Sequence, residues 1–66
     1  MIVEGSVCVV KAGRHAGETV IVTKVIDDNF VLAKGRNVKE RRFNKRHLIP
    51  TGKVVKDVDK ALEELA

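Results

Sequence analysis

The chain has no tryptophan and no tyrosine, and phenylalanine occurs only as Phe30 and Phe43. Grooves for proline-rich peptides and cages for methylated lysine are built from exposed aromatic rings. Their scarcity argues against a peptide-recruiting module, although a different protein contact through the C-terminal segment stays open. Two rings are also too few for the stacking platform of a single-strand-binding protein, so we expect both in the core.

Cysteine is equally scarce, because Cys8 is the only one. A single cysteine excludes an intramolecular disulfide, leaves a metal site short of sulfur ligands, and fits a reducing intracellular compartment. Cys8 lies within an apolar run, where a buried thiol is the usual state, and no motif gives His15 or His47 an acidic orienting partner. We therefore predict no enzymatic activity, no cofactor and no metal.

Long hydrophobic runs are absent too. No run approaches the ~20 apolar residues of a membrane span, and the first four residues do not open a secretory signal. We expect a soluble cytoplasmic protein with nothing to be cleaved off. Its 66 residues, 44% of them hydrophobic, suffice for one domain with a single small core.

Positive charge is concentrated in one segment. The net charge is +4, but residues 34 to 47 hold seven basic residues against Glu40, and the stretches on either side are each slightly acidic. Arginine forks suit phosphate oxygens, so this segment predicts nucleic-acid binding. RNA is favoured over DNA because no helix offers a row of side chains for the major groove. The basic residues are Lys34, Arg36, Lys39, Arg41, Arg42, Lys45 and Arg46.

A short polar connector, Gly13-Arg14-His15-Ala16-Gly17, lies between two apolar runs. Glycine allows positive φ and a close approach of another backbone, while Arg and His donate hydrogen bonds to anions. The connector therefore predicts a hairpin tip that can contact a phosphate backbone.

The rest of the chain predicts a mostly β protein. Short runs rich in Val, Ile and Thr alternate with turn signals at residues 27–29 and 34–37, which is typical of a small, strongly bent five-stranded barrel. Asn44 to Arg46 could form a single helical turn, and Pro50 confines the last strand to an edge. The five predicted strands are Ser6 to Lys11, Thr19 to Ile26, Phe30 to Ala33, Val38 to Phe43 and His47 to Ile49.

The tail changes to helical periodicity. From Asp57, a suitable N-cap, apolar residues recur at the spacing of an amphipathic helix at Val58, Ala61, Leu62 and Leu65. We expect this short C-terminal α-helix to pack on the barrel. The predicted organisation is a barrel over residues 1–52 and a tail over residues 53–66.

The run from Val7 to Val22 resembles the KOW motif, a strand–loop–strand element of SH3-like barrels in ribosomal proteins and transcription elongation factors. Its continuation, from Val25 to Leu32 and from Val38 to Thr51, resembles the archaeal and eukaryotic "e"-type family of large-subunit ribosomal protein fourteen. The resemblance covers Glu4 to Thr51. It implies an SH3-like barrel that binds ribosomal RNA as a structural part of the large subunit, next to other large-subunit proteins on cytoplasmic ribosomes, and a monomer off the ribosome.

The resemblance also implies which residues contact RNA. Asn44 keeps two interpretations: a cap of the short turn before His47, or a donor to a sugar or base. Two alternative functions stay open, a free-standing KOW RNA-binding factor of transcription or translation, and a protein-interaction barrel. By position, the RNA-contacting residues are Lys11, Arg14 and His15 in the glycine connector, and Lys39, Arg41, Arg42, Asn44, Lys45, Arg46 and His47 after it.

Overall fold

A computed structural model describes residues 2–36 and 38–64 as a curved sheet followed by one helix. Asn37, in a predicted turn, and Leu65, in the predicted helix, lie outside these ranges. The mostly β fold with a short C-terminal helix confirms the predicted fold class. Its elements are strands β1 (Ser6–Val10), β2 (Thr19–Val25), β3 (Phe30–Gly35), β4 (Arg41–Asn44) and β5 (Leu48–Val54), a 3-10 turn (Lys45–His47), and helix α1 (Val58–Glu64).

The strands are antiparallel and lie in the order β4-β3-β2-β1-β5. β1 to β4 form a meander, and β5 returns to pair with β1. The two outermost strands, β4 and β5, are consecutive in the chain and are separated only by the 3-10 turn Lys45–His47. Because three residues span little more than ~10 Å even when extended, the two edges of the sheet are held close together, which bends the sheet into a small barrel.

The core is built from small aliphatic side chains. Cys8, Val20, Val22 and Val31 are fully buried in one cluster with the ring of Phe43. Ile21, between two core residues of β2, is also fully buried, so β2 is covered on both faces. A near-continuous apolar run is typical of a strand that is buried on both faces, and α1 contacts β2.

β4 is shorter than predicted. The predicted strand began at Val38, whereas the observed one begins at Arg41. Val38 instead exchanges backbone hydrogen bonds with Gly35, with N···O distances of 2.9 and 3.3 Å, and inserts its side chain into the core from a tight loop. The prediction was wrong here because a buried valine in a loop has the same sequence signature as a strand residue.

β5 is longer than the predicted strand His47 to Ile49, and it continues through Pro50 to Val54. Pro50 lies opposite Cys8 on β1, at the edge of the sheet, as predicted. Lys11 and His47 form a hydrogen-bonded pair, because the N–H of Lys11 donates to the carbonyl of His47. Hydrogen-bonded and non-hydrogen-bonded pairs alternate along antiparallel strands, so Cys8 and Pro50, three positions further on, form a non-hydrogen-bonded pair. The N–H that proline lacks therefore removes no bond to β1.

Two hydrogen bonds that involve side chains stabilise β5 and the start of α1. Beyond Pro50, Thr51 Oγ1 donates to the carbonyl of Val7 at 2.9 Å, where the register of β1 with β5 shifts. At the start of α1, the backbone N–H of Lys60 donates to Asp57 Oδ1 at 3.1 Å, which confirms Asp57 as the N-cap.

No helix of the described residues is long and apolar enough to cross a membrane.

Candidate nucleic-acid interface

The glycine connector forms a closed hairpin tip between β1 and β2. Gly13 and Gly17 have φ of +90° and +91°, values that L side chains rarely adopt. The N–H of Gly17 donates to the carbonyl of Val10 at 2.7 Å, which closes the loop at its base. Arg14 is exposed at the tip, as the sequence predicts, and His15 is half-buried.

The hairpin tip lies against β4, although the two are 26 residues apart in sequence. Arg41 Nη1 is 2.9 Å from His15 Nε2. A guanidinium can only donate, so His15 Nε2 is the acceptor in this contact. Both side chains also contact Phe43: the His15 ring meets it edge-on at 6.4 Å, and Arg41 Cζ lies 5.8 Å from its centroid.

Phe43 fixes this arrangement from below. Its side chain is only 8% exposed and belongs to the core cluster, so its role is structural and it is not available for base stacking. The buried ring of Phe43 thus supports the side chains of His15 and Arg41 at the surface. His15 and Arg41 are thereby held in place.

The hairpin tip, β4 and the 3-10 turn enclose a cleft of about 170 Å³. None of the described residues that line it is acidic, so its walls combine positive charge with polar donors. Such a concave surface attracts anions, because the low-dielectric walls focus the field of the arginines. The cleft is lined by Ala12, Gly13, Arg14, His15, Arg41, Arg42, Phe43, Asn44 and His47.

Adjacent arginines of β4 point to opposite faces of the sheet. Arg41 pairs with Ala33 on the core side, whereas Arg42 pairs with Leu32 on the other side. Arg42 Cζ lies 4.7 Å from the ring centroid of Phe30, a cation–π contact. Phe30 was expected in the core but is only half-buried, because as the first residue of β3 it falls on the outer face.

Asn44 caps the 3-10 turn, because its Oδ1 accepts from the backbone N–H of Arg46 at 2.9 Å. The structural interpretation of Asn44 is therefore confirmed. The N–H of Lys45, the residue between Asn44 and Arg46, donates to the carbonyl of Asn29 at 2.9 Å. This hydrogen bond connects the turn to the β2–β3 hairpin. His47, the last residue of the turn, is exposed at the rim of the cleft.

An acidic turn lies beside Arg42 and Lys45. Asp27 Oδ1 accepts from the backbone N–H groups of Asn29 and Phe30, at 2.7 and 2.9 Å. These two bonds lower the pKa of the Asp27 carboxyl, and the positive charges of Lys45 and Arg42 add to the effect.

The basic segment is not one surface. Lys34 makes an ion pair with Asp59 of α1 at 2.6 Å, and this hydrogen bond raises the pKa of Lys34. Arg36 lies beside Leu62 and Glu63 of the same helix. Helix α1 therefore draws these two cations away from the cleft.

The remaining predicted residues lie on or next to the elements that form the cleft. Lys39 lines a hollow next to it, together with His15 and Arg41. Lys11 is exposed directly after β1, and Arg46 is exposed in the 3-10 turn. The structure thus groups most of the predicted RNA-contacting residues on the side of the barrel that carries the hairpin tip.

Cys8 is fully buried, and its burial raises the pKa of the thiol. No group of three or more His, Cys, Asp or Glu side chains within residues 2–36 and 38–64 is arranged to hold a metal ion. Sequence patterns alone do not indicate the Phe30–Arg42 contact, because only the register of β4 with β3 shows that these two residues lie diagonally across from each other on one face.

Comparison with known proteins bears on this cleft. The KOW motif model matches residues 4–35, which include β1, the hairpin tip, β2 and β3. Large ribosomal subunit protein eL14 of Desulfurococcus amylolyticus is 48% identical over 56 residues, which are 79% of this chain and 58% of that protein.

Two further archaeal proteins of the same name are similar to the chain. The one from Methanococcus maripaludis strain C6 is 47% identical over 57 residues, 86% of this chain and 71% of that protein. The one from Saccharolobus solfataricus is 42% identical over 72 residues, 91% of this chain and 75% of that protein. The chain thus spans from 58% to 75% of the length of these three relatives. By this similarity, and by the KOW motif within it, the chain belongs to the eL14 family of large ribosomal subunit proteins.

Proposed function

We propose that this chain is a structural component of the large ribosomal subunit that binds ribosomal RNA through the cleft between the hairpin tip and β4. The observation that carries the proposal is the 2.9 Å contact of Arg41 with His15, which joins the two predicted RNA-binding stretches into one site. The names of the relatives supply the ribosomal context.

The cleft suits phosphate groups better than base edges. Arginine forks match phosphate oxygens, and the contacts of Arg41 with His15 and Phe43 lower the entropy that this side chain must lose on binding. The sheet presents no helix that could enter a groove of the nucleic acid. The geometry therefore supports recognition of an RNA fold by its shape and its phosphate backbone.

The proposal extends to the setting of the protein. The barrel carries the RNA contacts, and helix α1 packs on it. Neighbouring large-subunit proteins are further partners, the location is the cytoplasmic ribosome, and the chain is a monomer when it is not bound there. The proposal assigns it no catalysis and no cofactor.

The salt dependence of binding to large-subunit ribosomal RNA tests the role of the cleft. Each neutralised phosphate releases counterions, so Arg14→Ala and Arg41→Ala should each reduce the slope of log affinity against log salt by about one. Lys60→Ala, an exposed cation on α1, is the matched control and should leave the slope unchanged. Unchanged slope and affinity in the Arg14→Ala, Arg41→Ala double variant would refute the assignment.

Residence in the ribosome has a separate test. A structural component should remain with large subunits that are pelleted through a high-salt cushion, whereas a free-standing RNA-binding factor should be washed away. A partner that the chain still captures after nuclease treatment, with no retention on subunits, would favour a protein-interaction barrel instead.

A further inference from the structure

Phe30 and Arg42 form a second surface on the outer face of the sheet, next to the cleft that Arg42 also lines. Phe30 opens β3, and Arg42 lies diagonally across from it on β4, two positions from its register partner Asn44. Both side chains lie on the outer face of the sheet, the face opposite to the one that places Phe43 in the core. Two neighbouring residues, Arg42 and Phe43, thus serve opposite faces.

The geometry of this pair is that of a stacking platform. Arg42 Cζ is 4.7 Å from the Phe30 centroid, so the ring supports the guanidinium from one side while the arginine remains exposed. A guanidinium is planar, delocalised and more weakly hydrated than an ammonium group, which allows flat apolar rings to stack on it. In RNA, the flat rings available are unpaired bases, and arginine planes are among the surfaces on which they stack.

The charges around the platform favour a base over a phosphate. The carboxylate of Asp27 lies near enough to interact with both Arg42 and Lys45. Asp27 offsets part of the positive charge of these two residues, so this surface attracts a phosphate less than the cleft does, whose described lining holds no carboxylate. An uncharged nucleobase loses nothing by this partial neutralisation, because its stacking does not depend on net positive charge.

We propose that the Arg42–Phe30 pair stacks one unpaired nucleobase of the bound RNA, on the face of β4 opposite to the side chain of Arg41. The proposal rests on the proposed function and deepens it, because it gives the barrel two kinds of RNA contact. The cleft holds a phosphate backbone, and the platform holds a base that has left its helix.

Two RNA octamers of equal charge test the platform: octa-adenylate and the same backbone with all bases removed. Octa-adenylate should bind more tightly than the abasic octamer, and the Arg42 Nε–H resonance should shift only with octa-adenylate. Arg42→Lys keeps the charge but not the plane, and it should reduce the preference for octa-adenylate by about fivefold or more. Arg36→Lys, an exposed arginine beside Leu62 and Glu63 of α1 and away from the cleft, is the matched control and should leave the preference unchanged.

Phe30→Leu gives a second variant that keeps Arg42 and removes the supporting ring, and its preference should fall in the same direction. Equal binding of the two octamers, or an unchanged preference in Arg42→Lys, would overturn the stacking proposal. Affinity for large-subunit ribosomal RNA, measured with Arg14→Ala in parallel, separates the two proposals. If that RNA still binds in a salt-dependent, Arg14-dependent way, only the stacking site is lost.

Discussion

Replacing Gly5 with alanine should destabilise the barrel far more than replacing Gly13, although the two glycines have nearly the same backbone conformation. Their φ values are +87° and +90°. A Cβ at Gly13 would meet nothing within 4 Å, whereas a Cβ at Gly5 would lie 2.2 Å from the backbone oxygen of Val55. The pair of variants therefore separates the cost of conformation from the cost of the clash.

The magnitudes follow from these two terms. An L residue with positive φ costs ~1–2 kcal/mol, and the lower entropy of the unfolded chain returns ~0.4–1 kcal/mol, so Gly13→Ala should cost about 1 kcal/mol. At Gly5 the clash adds ~1–3 kcal/mol, as overpacking does elsewhere. Moving Val55 away also strains the hydrogen bond that its N–H donates to the carbonyl of Gly5, with an N···O distance of 2.9 Å. We expect a total of about 2–4 kcal/mol for Gly5→Ala.

Urea unfolding followed by far-ultraviolet circular dichroism measures both variants, because the chain has no tryptophan or tyrosine for fluorescence. A domain of this size has only ~3–10 kcal/mol of stability, so Gly5→Ala should shift the midpoint by a large fraction of its value. Gly52→Ala, at φ +89° and also with nothing within 4 Å, should behave like Gly13→Ala. Equal destabilisation by Gly5→Ala and Gly13→Ala would refute the reasoning.

Three further outcomes follow from single side chains. Asn44→Ala removes the cap on the N–H of Arg46 and should lower the free energy of unfolding by about 1 kcal/mol in the same urea assay. The lowered pKa of Asp27 means that its carboxylate stabilises the fold above its unfolded pKa, near 4, and that this stability is lost as the pH falls through the folded value. The Asp27→Asn variant should therefore lose less stability than the parent chain between pH 5 and pH 2. The buried thiol of Cys8, with its raised pKa, should react with Ellman's reagent at pH 7 only as fast as the domain opens; rapid reaction of the native protein would contradict its burial.

Local chemistry explains what the sequence could predict. Asp27 marks a turn because its carboxylate accepts from the backbone two and three residues later, and Asp57 starts a helix in the same way. The near-continuous apolar run of β2 is typical of a strand buried on both faces, and Ile21 is fully buried in it. Each of these features depends on neighbours within a few positions, so the order of residues is sufficient evidence.

Long-range geometry explains what the sequence could not predict. The extension of β5 depends on Thr51 reaching the carbonyl of Val7, 44 residues away. Adjacent residues of any strand lie on opposite faces, but which of Arg41 and Arg42 lies on the core side depends on the register of β4 with β3. The pairing of Lys34 with Asp59 likewise required knowing which face α1 covers. Counting charge found the basic segment, but only the register assigns its members to faces.

The way β5 meets its surroundings has a consequence for the protein at high concentration. Exposed strand edges allow sheets of separate molecules to join, which is a common beginning of aggregation. On the side of β5 turned away from β1, the N–H of Leu48 donates to the carbonyl of Lys45, and Pro50 has no N–H to offer. The first half of this edge therefore gives an incoming strand almost no donors. Pro50, which removes no hydrogen bond to β1, thus protects the barrel against edge-to-edge polymerisation.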